Sequence, residues 1–339
     1  MSPLVVSSPH AHRPLGTATV MQRVALATVP GLLALIWFFG WGVVVNLLLA
    51  VGAALATEAA ILRLRGRAPI PVLSDSSAVL TGVLLALSLP PLLPWWMTLL
   101  GASFAIAFGK QLYGGIGQNP FNPAMLGYVV LLISFPVEMS TWAPALVGGG
   151  LPLGETLTQI FAGGPVPDAL TGATPLDDFK FRGGLTSEEW RASSGLAGQF
   201  ASAGWEWVNL AFLAGGAWML QQRLFTWHAP IAMLGTLAFL SLCFWDGGSS
   251  ASLGSPAHHL LSGATMFGAF FIVTDPVSSA TSQRGRLVFG AGVGVLVYVI
   301  RAFGNYPDAV AFAVLLMNLA APFIDQYTRP RTYGHGGTV

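Results

Sequence analysis

One stretch in the middle of the chain, residues 168–177, has the sequence DALTGATPLD and brings hydroxyl and carboxylate side chains close together. Gly172 and Ala173 give the Thr174 hydroxyl a narrow and pliable neighbourhood, so the active site of another enzyme can reach it. Pro175 restrains Thr174 toward an extended backbone. A hydroxyl placed in this way suits an acceptor in phosphoryl transfer. The alternative is an ordinary loop turn, since a short Gly-Ala-Thr string is not specific by itself.

The order of residue types in this stretch is more informative than its composition. Asp168, Thr171, Gly172, Ala173 and Thr174 form the pattern Asp-x-x-Thr-Gly-Ala-Thr. This pattern resembles the acceptor sequence of the flavin transferase that moves an FMN phosphate from FAD onto a threonine hydroxyl. The resemblance implies a covalent FMN on Thr174, joined through its phosphate, and it implies that the transferase reads Asp168.

A second copy of the string tests how specific it is. Residues 262–265 read SGAT, but His259 stands where the first copy has Asp168. Thr265 lies near the middle of a predicted membrane helix, where a soluble transferase could not reach it. Small residues let helices approach closely in lipid, so we interpret this copy as a helix-packing element. Thr174 remains the predicted acceptor.

The composition is that of a membrane protein, because 54% of the 339 residues are hydrophobic and only 9% are charged. Soluble domains have about a quarter of their residues charged. Apolar runs of about 20 residues predict membrane-spanning helices, and their length argues against barrel strands. We therefore expect an all-α integral membrane protein with about ten transmembrane helices. The predicted spans are roughly 21–39, 41–62, 77–92, 95–111, 122–136, 205–221, 227–245, 258–273, 287–303 and 309–325.

The 15 Lys and Arg residues predict the orientation, since these residues accumulate on the cytoplasmic side of bacterial membrane proteins. Only Lys180, Arg182, Arg191 and Arg301 fall opposite the termini. We therefore expect both termini in the cytoplasm of a bacterial cell, with the chain anchored in the inner membrane and segment 137–204 on the periplasmic side. The first apolar run continues at once into a second, so no cleavable signal peptide is expected. Nothing in the basic residues predicts nucleic-acid binding.

The long segment separates two sets of five helices, and an odd number in each set requires any repeat between them to be inverted across the membrane. Residues 80–82 resemble 261–263, and 117–120 resemble 304–307. Such clusters are also typical of simple turns. Paired helix breaks build binding sites in transporters, so a small-solute transporter or channel is a competing class. The predicted units are 1–136, the N-terminal membrane half; 137–204, the periplasmic loop region; 205–325, the C-terminal half; and 326–339, a cytoplasmic tail.

Five polar residues near predicted helix ends are candidates for a second flavin site or an ion path, because ionisable groups at membrane depth are often functional. Snorkelling to the interface is the alternative explanation. The candidates are Lys110, Asn119, Asp275, Arg301 and Asp308. The single cysteine, Cys243, can build neither a disulfide nor an iron–sulfur cluster within this chain, and the histidines predict no metal site.

Several stretches in a fixed order resemble RnfD of the Rnf electron-transport complex, a member of the NqrB/RnfD family. They are residues 7–10, 37–42, 110–124, 259–266, 274–277, 284–287 and 327–331. NqrB, from the sodium-translocating NADH:quinone oxidoreductase, is similar and remains the alternative. The resemblance implies a flavoprotein subunit of an ion-translocating oxidoreductase that moves electrons between ferredoxin and NAD and is not catalytic alone. It also implies the Rnf subunits A, B, C, E and G as partners, a flavin transferase in maturation, and a non-covalent flavin, riboflavin, among the helices.

Overall fold

The computed structural model describes residues 15–145, 150–162, 171–199, 201–304, 306 and 309–329. Over these residues the regular structure is helical, with two isolated β-bridges as the only strand-like pairing. The prediction of an all-helical chain is confirmed. Asp168 of the acceptor pattern and the candidate Asp308 lie outside the described residues.

Each predicted span overlaps one helix or consecutive helices, although some helices, such as α5, are shorter than the span. The helices before the long segment are α1 Thr17–Ala27, α2 Val29–Phe39, α3 Gly42–Leu64, α4 Pro69–Leu73, α5 Ser77–Ala86, α6 Trp95–Gly109 and α7 Pro123–Ser134, with a 3₁₀ turn at Gln111–Tyr113. The segment itself contains α8 Pro136–Ser140, α9 Leu153–Ala162, α10 Pro175–Lys180 and α11 Ser187–Ser193. The helices after it are α12 Trp205–Gln221, α13 His228–Cys243, α14 Pro256–Leu261, α15 Thr265–Phe267, α16 Gln283–Phe303 and α17 Val310–Thr328.

Four helical stretches of the described chain are long and apolar enough to cross a membrane. They are Thr17–Phe39, Gly42–Leu64, Gln283–Phe303 and Val310–Thr328. The helices α5, α7 and α13 are also apolar but shorter. These helices support a protein that crosses the membrane several times.

The described part of the segment predicted as a long loop contains the four short helices α8 to α11, and three of them have a local reason to begin where they do. Thr174 and Thr186 cap α10 and α11 by accepting backbone N–H groups. Proline stands in the first turn of α8 and α10. The described part of segment 137–204, which we call the folded cap, therefore contains short helices.

The predicted span 258–273 is not one continuous helix. It is broken between α14 and α15, where Gly263 has φ +59°, and it continues after α15 as a π-helical turn, Gly268–Ile272. Asn209 of α12 forms hydrogen bonds with backbone groups on both sides of the break. Its amide donates to the carbonyl oxygens of Leu261 (3.2 Å) and Gly263 (2.8 Å) and accepts from the backbone N–H of Met266 at 2.9 Å. Non-helical backbone at membrane depth is tolerated only where such partners exist.

The two halves share two helix contacts. The second predicted span of each half packs on the fourth, as α3 on α6 and α13 on α16. The fourth packs on the fifth, as α6 on α7 and α16 on α17. Between the halves, α2 contacts α12 and α7 contacts α17. These helices lie in the first and the fifth predicted spans of each half. This is the contact pattern expected of two repeats related by a pseudo-two-fold axis.

Segments that the charge sorting assigns to one side contact one another. On the predicted periplasmic side, the backbone N–H of Ser187 donates to Gly248 (2.8 Å) and Lys180 donates to the carbonyl of Arg301 (2.9 Å). The predicted cytoplasmic segments meet in the same way. Their hydrogen bonds join Gln22 to Ser76, Asn122 to Asp275, Thr226 to Arg286, and Thr281 to Asp325.

Gly215 of α12 is needed for close helix packing. A Cβ atom at Gly215 would overlap the carbonyl oxygen of Ala27, which is backbone and cannot move aside, whereas a Cβ atom at Gly235 of α13 meets nothing within 4 Å. We expect Gly215→Ala to lower the free energy of unfolding by about 1–3 kcal/mol, measured as thermal unfolding in detergent. Gly235→Ala, the matched control, should be neutral or slightly stabilising. Equal effects of the two substitutions would contradict this packing role.

Candidate functional site

The Thr174 side chain is the N-cap of α10. Its hydroxyl donates to the Asp177 carboxylate at 2.8 Å and accepts the Asp177 backbone N–H at 3.2 Å. Thr174 has an extended backbone (φ −66°, ψ 152°), and Pro175 is the first residue of the helix. The expectation that Pro175 keeps Thr174 extended is confirmed. The hydroxyl therefore has a fixed position at a helix start and is half-buried, not enclosed.

Thr174 lies in the wall of a cleft that we call the acceptor cleft, with about 810 Å³ of empty space including the open solvent at its mouth. Both membrane halves and the folded cap contribute to it, and most of its lining is apolar or aromatic. The lining residues are Leu87, Ser88, Met125, Tyr128, Leu132, Met139, Trp142, Thr174, Pro175, Leu176, Trp205, Gly263, Ala264, Phe267, Ile272, Val310 and Ala311. Mainly apolar walls with a few polar groups are typical of cofactor sites.

An aromatic cluster forms one side of the acceptor cleft. The rings of Trp142 and Trp205 lie 5.1 Å apart, and Phe39 lies 5.8 Å from Trp142 and 5.1 Å from Trp205. The carbonyl of Trp142 accepts the backbone N–H of Gly172 at 2.9 Å. The acceptor sequence is therefore tied by its backbone to one member of the cluster. Thr171, Gly172 and Ala173 follow directly into the Thr174 cap.

In the second SGAT copy the threonine is enclosed by the protein, whereas Thr174 is half-buried. Thr265 is fully buried, and its hydroxyl donates to the carbonyl oxygens of His259 (2.8 Å) and Ser262 (3.0 Å). Thr265 begins α15 after the helix break and does not lie in the middle of a helix, so the predicted position was wrong although the expected inaccessibility is confirmed. Gly263 and Ala264 of this copy line the acceptor cleft. The two copies thus meet at one site.

The remainder of α10 is held firmly beside the cleft. Phe179 packs edge-on against Trp190, whose indole N–H donates to Asp178 at 2.6 Å. The guanidinium of Arg182 lies 4.1 Å from the centre of the Phe179 ring. Burial lowers the pKa of Lys180, and the Asp177 carboxylate opposes that shift. Both groups are partly exposed, so their interaction is weakened by solvent.

Three of the other candidates meet at a second cleft, which has about 820 Å³ of empty space. Lys110, Asn119 and Asp275 line it, together with Ser77 and Thr81 of α5. Arg301 does not; it lies near His259, whose carbonyl oxygen accepts from Arg301 at 2.8 Å. The candidates are therefore not one site, because Arg301 lies elsewhere; Asp308 is outside the described residues.

Snorkelling is the wrong explanation for both buried cations. Lys110 is 2% exposed and Arg301 is 5% exposed. Lys110 follows the last residue of α6, and its ammonium donates to Ser77 Oγ at the start of α5 at 2.5 Å. Arg301 lies in the last turn of α16 and donates to the carbonyl of His259 in α14. The equivalent placement in the two halves further supports the repeat.

Glu58 pairs with Lys110, and it was not among the residues predicted from the sequence. The carboxylate of Glu58 in α3 lies 2.5 Å from the Lys110 ammonium and accepts from the Gln111 amide at 2.7 Å. Glu58 is fully buried, and its second oxygen, Oε2, has no hydrogen-bond partner among the described residues. The available signal was a single carboxylate inside the apolar run 41–62. Such a residue is a functional candidate by default in a membrane helix.

Comparison with known proteins then decides the family, because the sequence profile of the NQR2, RnfD, RnfE family matches residues 4–334. The chain belongs to this family. It is 62% identical over 331 residues to a protein of Ectopseudomonas mendocina (strain ymp) that is named as the D subunit of an ion-translocating oxidoreductase complex. The match covers 97% of this chain and 95% of the relative. A protein of the same name from Pseudomonas aeruginosa is 59% identical over 329 residues, again 97% and 95% of the two chains.

Members of the NQR2, RnfD, RnfE family are also found at greater distance. The protein with this name in Escherichia coli O127:H6 is 52% identical over 346 residues, which is 98% of each chain. The resemblance inferred from the sequence stretches is thereby confirmed at the level of the family. Both clefts and the buried Glu58–Lys110 pair lie within the matched part of the chain.

Proposed function

We propose that this chain is the RnfD subunit of an ion-translocating oxidoreductase complex and that it carries electrons through an FMN esterified to Thr174. The relatives' shared name, over nearly their whole length, supports the complex and favours RnfD over NqrB of the sodium-translocating enzyme. The observation that carries the flavin claim is the position of the Thr174 hydroxyl, half-buried and in the wall of an aromatic-lined cleft.

The residues present fit a covalently attached flavin. The apolar walls of the acceptor cleft, with Trp142 and Trp205, suit a large planar ring. A flavin supplies one-electron and two-electron transfer when it is bound. This chain's residues would exclude water from the ring through Met125, Leu132 and Phe267, while Thr174 fixes the phosphate end.

The proposed complex couples electron transfer between ferredoxin and NAD to ion movement, with the Rnf subunits A, B, C, E and G as partners. We place this chain in the bacterial inner membrane, with about ten spans in two inverted halves. In this orientation both termini are cytoplasmic and segment 137–204 is periplasmic. The contacts among segments assigned to the same side support this topology.

A denaturing gel tests the covalent flavin directly. The chain is co-expressed with a flavin transferase, purified, denatured and examined under ultraviolet light, and the peptide containing Thr174 is analysed by mass spectrometry. We expect flavin fluorescence on the band and an FMN mass increment on that peptide. A non-fluorescent band from cells in which the transferase is active on another acceptor would contradict the proposal and favour the transporter class.

We also propose that the second cleft holds the non-covalent flavin, riboflavin, because Lys110, Asn119 and Asp275 place polar groups around an otherwise apolar space. Asn119 is 5% exposed, and its amide donates to the carbonyl of Phe121 at 2.9 Å. We expect Asn119→Ala to reduce the riboflavin released on denaturation of the purified complex, measured by chromatography, by about tenfold (about 1.4 kcal/mol). FMN on Thr174 should be unchanged, and unchanged riboflavin would contradict this placement.

A further inference from the structure

The Thr174 hydroxyl is hydrogen-bonded to a carboxylate from its own chain. Thr174 Oγ1 donates its proton to Asp177 Oδ2 at 2.8 Å and accepts the Asp177 backbone N–H at 3.2 Å. One lone pair of the oxygen is thus occupied and its proton points at a base. A nucleophilic hydroxyl and its base are normally found at about 2.6–3.2 Å.

The same arrangement occurs once more in the described part of the folded cap and shows what capping alone does. Thr186 Oγ1 donates to Glu189 Oε2 at 2.9 Å and accepts the Glu189 backbone N–H at 3.2 Å. Thr186 does not line the acceptor cleft, and no acceptor pattern precedes it. Helix capping therefore explains the geometry at both threonines. Only at Thr174 does the hydroxyl also have a reaction assigned to it.

We propose that Asp177 is the proton acceptor for attachment of the flavin to Thr174, an inference that rests on the proposed function. Thr174 Oγ1 attacks the phosphorus of the FMN half of FAD, and an Oγ1–P bond forms. The bond between that phosphorus and the oxygen bridging to the AMP phosphate breaks, and AMP leaves. The hydroxyl proton passes to Asp177 Oδ2 and then to solvent. No electrons are transferred in this step.

A carboxylate suits this step because phosphoryl transfer passes through a loose transition state in which the attacking hydroxyl loses its proton late. A carboxylate then needs only to orient the hydroxyl and receive the proton, as catalytic aspartates do in kinases. Asp177 is half-buried at the start of α10, so solvent can take the proton afterwards. The acceptor protein thus contributes a group to its own modification.

The test measures the rate of flavin attachment in vitro. Purified flavin-free chain is mixed with purified transferase, FAD and Mg²⁺, and fluorescence of the denatured band is followed with time. Asp177→Asn keeps a hydrogen-bond acceptor and the helix cap but cannot take the proton, so we expect attachment to slow by about 10²-fold or more. Asp177→Glu should retain at least a tenth of the wild-type rate, because Glu189 holds the Thr186 hydroxyl in the same way. Glu189→Gln, the matched capping control, should be modified at the wild-type rate.

The outcomes separate this inference from the function on which it rests. If the wild-type chain acquires no flavin, the proposed function fails. If the wild-type chain is modified and Asp177→Asn is modified equally fast, Asp177 is not the proton acceptor. If Asp177→Asn and Asp177→Glu are slowed equally while both melt at the wild-type temperature, the side chain has only a positioning role and the inference is also overturned.

Discussion

Thr174→Ala is expected to remove all covalent flavin from the chain and to leave the chain folded. The phosphoester cannot form without the hydroxyl, so the loss is complete. The structural cost is the loss of one N-cap on a six-residue helix, about 1 kcal/mol. In-gel fluorescence after co-expression with the transferase measures the first effect, and thermal unfolding in detergent measures the second.

Two control substitutions make this result specific to one position. Thr186→Ala removes an equivalent cap from α11 and should leave flavin attachment unchanged. Thr265→Ala removes a buried hydroxyl that donates to two carbonyl groups, so it should destabilise the protein by about 1–3 kcal/mol and still permit attachment. Fluorescence that disappeared with Thr265→Ala and persisted with Thr174→Ala would show that the acceptor had been assigned to the wrong copy.

Glu58→Ala is expected to cause a large loss of stability. It leaves the Lys110 ammonium, 2% exposed, without the carboxylate that lies 2.5 Å away. Removing one partner of a buried ion pair typically costs about 3–5 kcal/mol. Thermal unfolding in detergent measures this cost. Glu155→Ala, at an exposed position on α9, should change stability by less than about 0.5 kcal/mol.

A double substitution separates a structural role for this pair from a functional one. Replacing a buried pair by apolar side chains of similar volume is often neutral, so Glu58→Leu with Lys110→Met should regain most of the lost stability. If the pair belongs to an ion path beside the second cleft, complexes that contain the double variant will be folded but unable to couple electron transfer to ion movement. Normal coupling in a folded double variant would show that the pair is only structural.

The helices could be predicted because lipid requires long apolar runs, and the structure has helices at all ten positions. The break in the eighth run could not be predicted in this way, since small and apolar residues read as one continuous segment. The break depends on Asn209, which is far away in sequence and donates to Leu261 and Gly263. Hydrophobicity along the chain contains no information about such a contact.

The site was predictable in part for a similar reason. The acceptor pattern predicts Thr174 from neighbouring residues alone, but the cleft beside it is built from Trp142, Trp205 and Gly263, which only folding brings together. The burial of Lys110 was also unpredictable, because a lysine at a helix end usually reaches the interface. Glu58 was predictable, because it is a lone carboxylate in an apolar run.

The Asn209 amide has a mechanical consequence. It joins the two pieces of a broken helix to α12 through three hydrogen bonds from one 1%-exposed side chain. Either piece can therefore move away from α12 only if its own hydrogen bonds to Asn209 break. Through these bonds α12 is connected to the chain at Gly263 and Ala264 in the wall of the acceptor cleft. Asn209 therefore couples α12 to both sides of the helix break.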